Sequence, residues 1–146
     1  MTLWEDYLLP ERIQGNSNTT RQPTIRILDP LGALYTITEI FHFASKIVSS
    51  GVYDDALLIS IKMHNAENRI LQFVDTMRFL HSEYTCRVND IEVKKTPMIP
   101  DLLSNWQDMA IESTIELFEL FNWHSPDIIK WLKKDQEEFL TGRFRA

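Results

Sequence analysis

The sequence is poor in the residues that mark secreted, metal-bound or disordered proteins. Cys86 is the one cysteine among 146 residues, which excludes an internal disulfide and leaves too few thiols for a zinc finger. Glycine and proline are scarce and 44% of the residues are hydrophobic, so the composition argues against disorder. No apolar run is long enough to span a bilayer, and the N-terminus lacks the basic and apolar regions of a signal peptide. These features favour a cytoplasmic protein that contacts no membrane.

Short catalytic and nucleotide-binding signatures are missing as well. The chain has no Gly-rich phosphate loop and no G-x-S-x-G, H-E-x-x-H or C-x-x-C motif, so we expect no cofactor and no resident metal. The net charge of −6 does not favour nucleic acid as a partner. The basic residues that could touch phosphate gather near the end of the chain, at Lys130, Lys133, Lys134, Arg143 and Arg145. Direct nucleic-acid binding through them is a third hypothesis, after the two given below.

What the sequence does contain is one dominant amphipathic segment, residues 101–121. At about 100° per residue, its polar side chains fall on one narrow strip. The strip consists of Asp101, Asn105, Asp108, Glu112, Glu116 and Glu119. Most other positions are apolar or small, in an arc about twice as wide as the apolar stripe of an ordinary surface helix. We therefore expect a core helix that is covered on more than one side, with Trp106 and Phe118 away from water.

The remaining pattern predicts one domain of mixed structure. Residues 1–23 are expected to form an N-terminal arm or linker, and residues 24–146 a single α+β domain. Alternation of apolar and polar residues predicts strands at 24–28, 56–64, 69–74, 84–88 and 91–95. Short turns join the later strands into two hairpins, 56–64 with 69–74 and 84–88 with 91–95. Residues 75–82 fit more than one structure.

Two further helices are predicted from their start signals and their spacing. Asp29–Gly32 fits a turn, and a capping box at Thr36 and Glu39 then begins a helix that Gly51 ends. Ser125-Pro126-Asp127 begins the last helix, which runs to Gly142. The expected fold is a mostly antiparallel sheet of about five strands packed against three helices, in the order β-α-β-β-β-β-α-α.

The first candidate for chemistry is a predicted strand that carries Glu92 and Lys94. An acid-x-Lys strand is similar to the second half of the motif of PD-(D/E)xK nucleases. In that family an upstream Asp and this Glu hold a divalent metal while the Lys steadies the attacking water. Asp54, Asp55 or Asp75 would supply the upstream acid. A solvated hairpin strand, with its charges spaced by the pleat, accounts for the same residues.

The second candidate surrounds the predicted turn at Asn65–Asn68. His64 beside Glu67 could act as acid and base, and Arg69 could hold a phosphate or carboxylate. Arg78 is a further candidate for binding. The alternative interpretation is that polar residues collect at a hairpin tip because the tip is wet.

His81 and Cys86 form a third candidate, as a base and a thiolate nucleophile. Nothing in their spacing brings the two side chains together. Cys86 lies in line with Tyr84 and Val88 on one strand face, which is typical of a buried structural cysteine.

Asp135 is unusual because it lies on the apolar side of the last helix, between Trp131 and Phe139. A carboxylate in that position needs a partner such as Arg78 or Arg69. We expect this pair to clamp the last helix onto the sheet.

Several segments share a pattern of strands and helices with known proteins. They are 51–55, 59–65, 69–71 with Asp75 and Arg78, 106–112 and 117–121. Together they resemble the region that follows the Schlafen/Alba-type DNA- or ATP-binding domain in certain prokaryotic proteins. The DNA- or ATP-binding portion itself is not among these residues. The resemblance therefore implies an accessory module that senses, docks or dimerises in a regulatory or defence protein.

Two functions of different classes follow from these observations. The leading hypothesis is a non-catalytic interaction or sensing module of a prokaryotic regulatory or defence protein, which binds a protein partner or associates with itself through its helical layer. The alternative is a small metal-dependent nuclease that uses Glu92 and Lys94, with Asp54, Asp75 and His64 as further catalytic candidates.

Overall fold

The structure, a computed structural model, describes residues 7–8, 26–51, 55–75 and 77–144, with side chains for 26–51, 55–75 and 77–142. Within these residues the chain forms three helices and two small β-sheets, so the α+β class is confirmed. The elements are β1 (Tyr7–Leu8), β2 (Arg26–Leu28), α1 (Pro30–Ser49), β3 (Ile59–Met63), β4 (Ile70–Leu71), β5 (Ile91–Lys95), α2 (Ile99–Glu119) and α3 (Ile128–Phe144). Apart from β1, the predicted arm lies outside the described residues.

The predicted single sheet of five strands is wrong. One sheet has the order β1-β2-β4, with β1 antiparallel and β4 parallel to β2, and the other consists of β3 and β5 in antiparallel register. Residues 84–88 form no strand and contribute only an isolated bridge between Thr85 and Ile70. The observed order of elements is therefore β-β-α-β-β-β-α-α.

Both predicted hairpins are wrong because the chain reverses neither at Asn65–Asn68 nor between residues 88 and 91. Residues 59–71 run in one direction against residues 84–95, as the antiparallel pairs Ile61 with Val93 and Ile70 with Thr85 show. We call these two segments the ribbon. Its connecting loop is residues 72–83, so the stretch that fitted several structures is the real hairpin loop.

The predicted turn at Asn65–Asn68 is present, since the Arg69 N–H donates to the Ala66 carbonyl at 3.0 Å, but it forms part of a bulge in the ribbon. The Asn68 N–H donates to the Cys86 carbonyl, and the Cys86 N–H donates to the Arg69 carbonyl, so two residues oppose one. Asn68 has a φ of 67°, the left-handed conformation that this type of bulge requires and that asparagine tolerates. The residues at Asn65–Asn68 therefore do favour a turn conformation, but this turn produces a bulge in the ribbon and not a reversal of the chain.

The first helix begins earlier than predicted. Asp29 is its N-cap, since the Asp29 carboxylate accepts a hydrogen bond from the Gly32 N–H at 3.2 Å, and Pro30 occupies the first turn. The predicted turn at Asp29–Gly32 is thus the start of α1, and the Thr36 capping box is wrong. Gly51, with a φ of 79°, follows the C-cap Ser50 as expected.

Helix α2 is the core helix that its composition predicts. It packs along α1 and also contacts β5 and α3. Its fully buried side chains include Leu102, Ala110 and Phe118, while Trp106 is half-buried. The polar strip is exposed except at Glu116, which is half-buried and pairs with Lys95 of β5. Most of the apolar arc is covered by the described residues, although Leu103 is 44% exposed and Leu120, just after the helix, is 39% exposed, so α2 offers little apolar surface to a second copy.

Helix α3 begins at Ile128, two residues after the predicted first helical residue Pro126, and continues past Gly142. Ile128 and Leu132 are buried, but Ile129, predicted on the apolar face, is 51% exposed. The buried Gln136 amide donates to the Gln107 carbonyl at 3.0 Å and to the Thr38 hydroxyl at 3.3 Å, which ties α3 to both other helices. In the described part of the chain, no helix is long and apolar enough to cross a bilayer.

Candidate functional site

The ribbon loop and α3 border an open, concave site that we call the loop pocket. It has a volume of about 480 Å³ and lies between loop 72–83 and the first half of α3. A drug-sized ligand site in a protein has a volume of this order. The loop also borders a larger cavity, of about 850 Å³, on the side of β2 and β4.

Four of the aromatic rings that line the loop pocket contact one another in sequence. Phe73 lies 6.0 Å from Trp131, Trp131 lies 5.7 Å from Trp123, and Trp123 lies 6.1 Å from Tyr84, between ring centroids. Trp123 also contacts the buried Phe118 of α2 at 5.0 Å. Such tilted pairs are favourable arrangements for aromatic rings. The wall of the pocket is therefore a continuation of the core.

An ion pair joins the loop to α3 inside the pocket. Arg78 donates two parallel hydrogen bonds to the Asp135 carboxylate, at 2.8 and 2.9 Å. The Asp135 side chain is 5% exposed and that of Arg78 is 38% exposed. The hydrogen bond to Asp135 raises the pKa of Arg78. The predicted clamp is confirmed with Arg78 as the partner, although it holds α3 to a loop, since the described residues between 72 and 83 belong to no strand.

Two large apolar side chains of the loop point into solvent beside this aromatic wall. Met77 is 85% exposed and Phe79 is 75% exposed, and both border the loop pocket. His81 packs edge-on against Phe79 at 5.6 Å between ring centroids. Adjacent exposed apolar side chains at the rim of an apolar pocket are typical of a binding surface.

The proposed nuclease residues lie elsewhere, on the exposed face of the ribbon. Glu92 accepts a hydrogen bond from Ser60 at 2.8 Å and lies 3.3 Å from Lys94 and 3.9 Å from Lys62. The Ser60 hydrogen bond and the two lysines lower the pKa of Glu92. The close neighbours of the Glu92 carboxylate are thus the Ser60 hydroxyl and the ammonium groups of Lys62 and Lys94. Asp75 lies in loop 72–83, Asp55 is exposed just before β3, and Asp54 lies outside the described residues.

The hydrogen bond from Ser60 predicts a shifted titration of Glu92. In the Ser60→Ala variant the pKa of Glu92 should rise toward its ordinary value, because the largest cause of the lowering is gone. A folded-state pKa below the unfolded one stabilises the fold above the ordinary carboxyl pKa, and this contribution disappears as the pH falls through the folded value. Carboxyl NMR titration of both proteins measures the shift. An unchanged Glu92 midpoint would contradict this assignment.

The candidates around Asn65–Asn68 do not form one site with Arg78. His64 pairs with Asp90 across the ribbon, with Nδ1 and Oδ1 2.9 Å apart, and both side chains are largely exposed. Arg69 is buried and its Nε donates to the Asn65 carbonyl at 3.0 Å, which supports the bulge. Glu67 is exposed beside it, whereas Arg78 belongs to the loop pocket.

Cys86 is buried as predicted, although residues 84–88 form no strand and Val88 is 43% exposed. Its thiol is fully buried and donates to the Val88 carbonyl at 3.3 Å, and burial raises its pKa. A raised pKa keeps the sulfur protonated, which opposes a nucleophilic role. His81 lies in the exposed loop and packs on Phe79.

The described residues contain no group of three or more His, Cys, Asp or Glu side chains that could hold a metal ion. No protein-family model matches the chain, and neither the curated proteins nor the solved structures include a match. The resemblance to the region after the Schlafen/Alba-type domain therefore stays a prediction.

Sequence reasoning missed the loop pocket as a unit. Met77 and Phe79 stand in a stretch that fitted several structures, and Trp123 follows the core helix with no distinct pattern of its own. The one signal that could have led to it is Asp135, whose position on an apolar face predicts a charged partner. That partner, Arg78, lies between Met77 and Phe79 in the sequence.

Proposed function

We propose that this chain is a non-catalytic interaction module of a prokaryotic regulatory or defence protein, which binds a segment of a partner protein in the loop pocket and associates with a second copy of itself. One observation carries the binding part: the exposed Met77 and Phe79 side chains border a pocket walled by Trp123 and Trp131. Exposing a side chain as large as phenylalanine forgoes about 1.5–3 kcal/mol of burial, which a bound partner would recover.

The chemistry of the pocket favours an apolar or aromatic anchor in the partner. Arg78 has both of its terminal nitrogens on Asp135, so its bidentate donors are already used. The remaining polar lining residues, His81, Ser125 and Lys134, are single groups that could fix the orientation of a peptide. Large apolar side chains that insert into such pockets dominate the binding energy of many interfaces.

Selection of random peptides displayed on phage tests the binding part of this proposal. The immobilised chain should enrich peptides that share an aromatic or large aliphatic residue. Replacement of Phe79 with Ser should weaken the binding of an enriched peptide about tenfold or more, as expected for a large aromatic side chain that a bound partner buries. Isothermal titration calorimetry measures the change. Both wild-type and variant chains should melt at similar temperatures, because Phe79 is 75% exposed.

Phe43→Ser is the matched control, since Phe43 is 66% exposed on α1 and does not line the pocket. It should leave the affinity unchanged. Equal losses in the two variants, or enrichment of no peptide at all, would count against the loop pocket as a binding site.

The nuclease alternative has one supporting observation, the 3.3 Å separation of Glu92 and Lys94 on an exposed strand face. It requires Mg²⁺- or Mn²⁺-dependent cleavage of plasmid DNA or single-stranded RNA that Glu92→Ala abolishes. Intact substrates after incubation with the wild-type protein would remove it.

A further inference from the structure

Strand β5 has one edge that no described strand covers. It pairs with β3 along residues 91–95, and within the described residues its sheet has no third strand. The ladder continues beyond the strands, where the Leu57 N–H donates to the Pro97 carbonyl and the Ile99 N–H donates to the Asp55 carbonyl. An uncovered strand edge offers a row of hydrogen-bonding groups to another strand.

Alternation along the ladder shows which groups face that edge. In an antiparallel pair the backbone N–H and C=O of successive residues point to opposite sides of the strand. The backbone groups of Pro97 and Ile99 bond to residues just before β3. Because the direction alternates along the strand, the backbone groups of the odd-numbered residues of β5, such as Val93, bond to β3 as well. The N–H and C=O groups of Glu92 and Lys94 therefore point to the uncovered edge. Both side chains lie on the exposed face of the sheet.

We propose that two copies of this chain associate by antiparallel pairing of β5 with β5, centred on Val93. The two ribbons then form a four-stranded sheet in the order β3-β5-β5-β3. In this register Glu92 of each copy lies directly opposite Lys94 of the other, in a pair that exchanges both backbone hydrogen bonds. Opposite charges in directly facing positions stabilise an antiparallel pair.

Charge selects this register over its neighbours. Pairing centred on Lys94 places two ammonium groups opposite each other, which is destabilising. Pairing centred on Glu92 places two carboxylates opposite each other. That register also sets Lys94 against Asp90 of the other copy, but Asp90 is already paired with His64 in its own chain. The arrangement is isologous, as a two-fold dimer requires, because one patch serves both copies.

The partner strand β3 is a poorer candidate for the same interface. Its exposed-face residues are Ser60 and Lys62, followed by His64, and they include no acid. No antiparallel self-pairing of β3 can therefore set opposite charges against each other on that face. The acid-x-Lys pair that resembled a nuclease motif is, in this interpretation, a self-complementary recognition element.

This inference deepens the self-association part of the proposed function and is independent of the loop pocket. Light scattering coupled to size-exclusion chromatography at micromolar to millimolar protein should show a mass approaching twice 17.2 kDa. The Glu92→Lys and Lys94→Glu variants should each weaken the dimer about tenfold or more. In either variant, like charges face each other at both pairs of positions 92 and 94. Both residues are exposed, so the variants should remain folded by circular dichroism.

Mixing the two variants is the decisive experiment. A Glu92→Lys chain facing a Lys94→Glu chain has opposite charges at both positions, so the mixture should form a heterodimer with an affinity close to that of the wild type. The Glu112→Lys and Lys130→Glu controls change the net charge equally at exposed helix positions, and they should leave dimerisation unchanged.

A monomeric wild type across this concentration range would overturn the proposal, as would a dimer whose affinity is the same in both charge variants. Lys94→Pro gives a second check, because it removes an N–H from the uncovered edge and leaves the ladder with β3 intact. This variant should be a folded monomer. Peptide binding in the loop pocket is measured separately and can succeed or fail in a monomer.

Discussion

Phe118→Ala is expected to lower the free energy of unfolding by about 3–5 kcal/mol, as removal of a phenylalanine ring from a protein core does. Phe118 is fully buried in α2 and contacts Trp123, so its removal leaves a cavity between the core and the wall of the loop pocket. A domain of ordinary stability has only about 5–15 kcal/mol in total. Urea denaturation followed by tryptophan fluorescence measures the difference.

The control for this prediction is Phe43→Ala, which removes the same ring from an exposed position on α1. It should change the stability by no more than about 0.5 kcal/mol, as most surface substitutions do. Similar effects at the two positions would contradict the assignment of α2 as the core helix.

Arg78→Ala is expected to cost about 2–3 kcal/mol, because it leaves the buried Asp135 carboxylate without its partner. The value lies below the usual range for a buried ion pair, since Arg78 is partly exposed and solvent screens part of the interaction. The loss should also release loop 72–83 from α3. Hydrogen exchange in that loop should accelerate, and peptide binding in the loop pocket should weaken with it.

The double variant Arg78→Met with Asp135→Leu separates the two roles of the pair. Replacing both charges with apolar side chains of similar size should bring stability to within about 1 kcal/mol of the wild type. A double-mutant cycle measures the coupling between the positions. If the single and double variants were equally unstable, the ion pair would not be what holds the loop to α3.

Local patterns predicted the helices and strands whose burial is periodic. The arc of α2 and the alternation of Ile59, Ile61 and Met63 on β3 both appear in the structure as predicted. Burial of one face requires apolar residues to recur with a period of 3.6 in a helix and 2 in a strand. The period read from the sequence therefore identifies the type of element. The position of Asp135 likewise predicted its ion pair, because a carboxylate on an apolar face requires a charged partner.

Strand pairing was not predictable in the same way. Asn65–Asn68 has turn chemistry that a hairpin and a bulge share, and only the long-range pairing of 59–71 with 84–95 decides between them. No local sequence pattern predicts the parallel pairing of β2 with β4 either. The register of a strand pair depends on contacts between segments that are distant in the sequence. These contacts produce no periodic pattern of residues in either segment.

The sequence alone therefore determined the α+β class, the core helix and the need of Asp135 for a partner. The tertiary structure decided the two sheets, the loop pocket and the uncovered edge of β5. The reason is physical: a side chain's preference for burial or water acts at its own position, whereas pockets and strand edges arise only where separate segments of the folded chain meet.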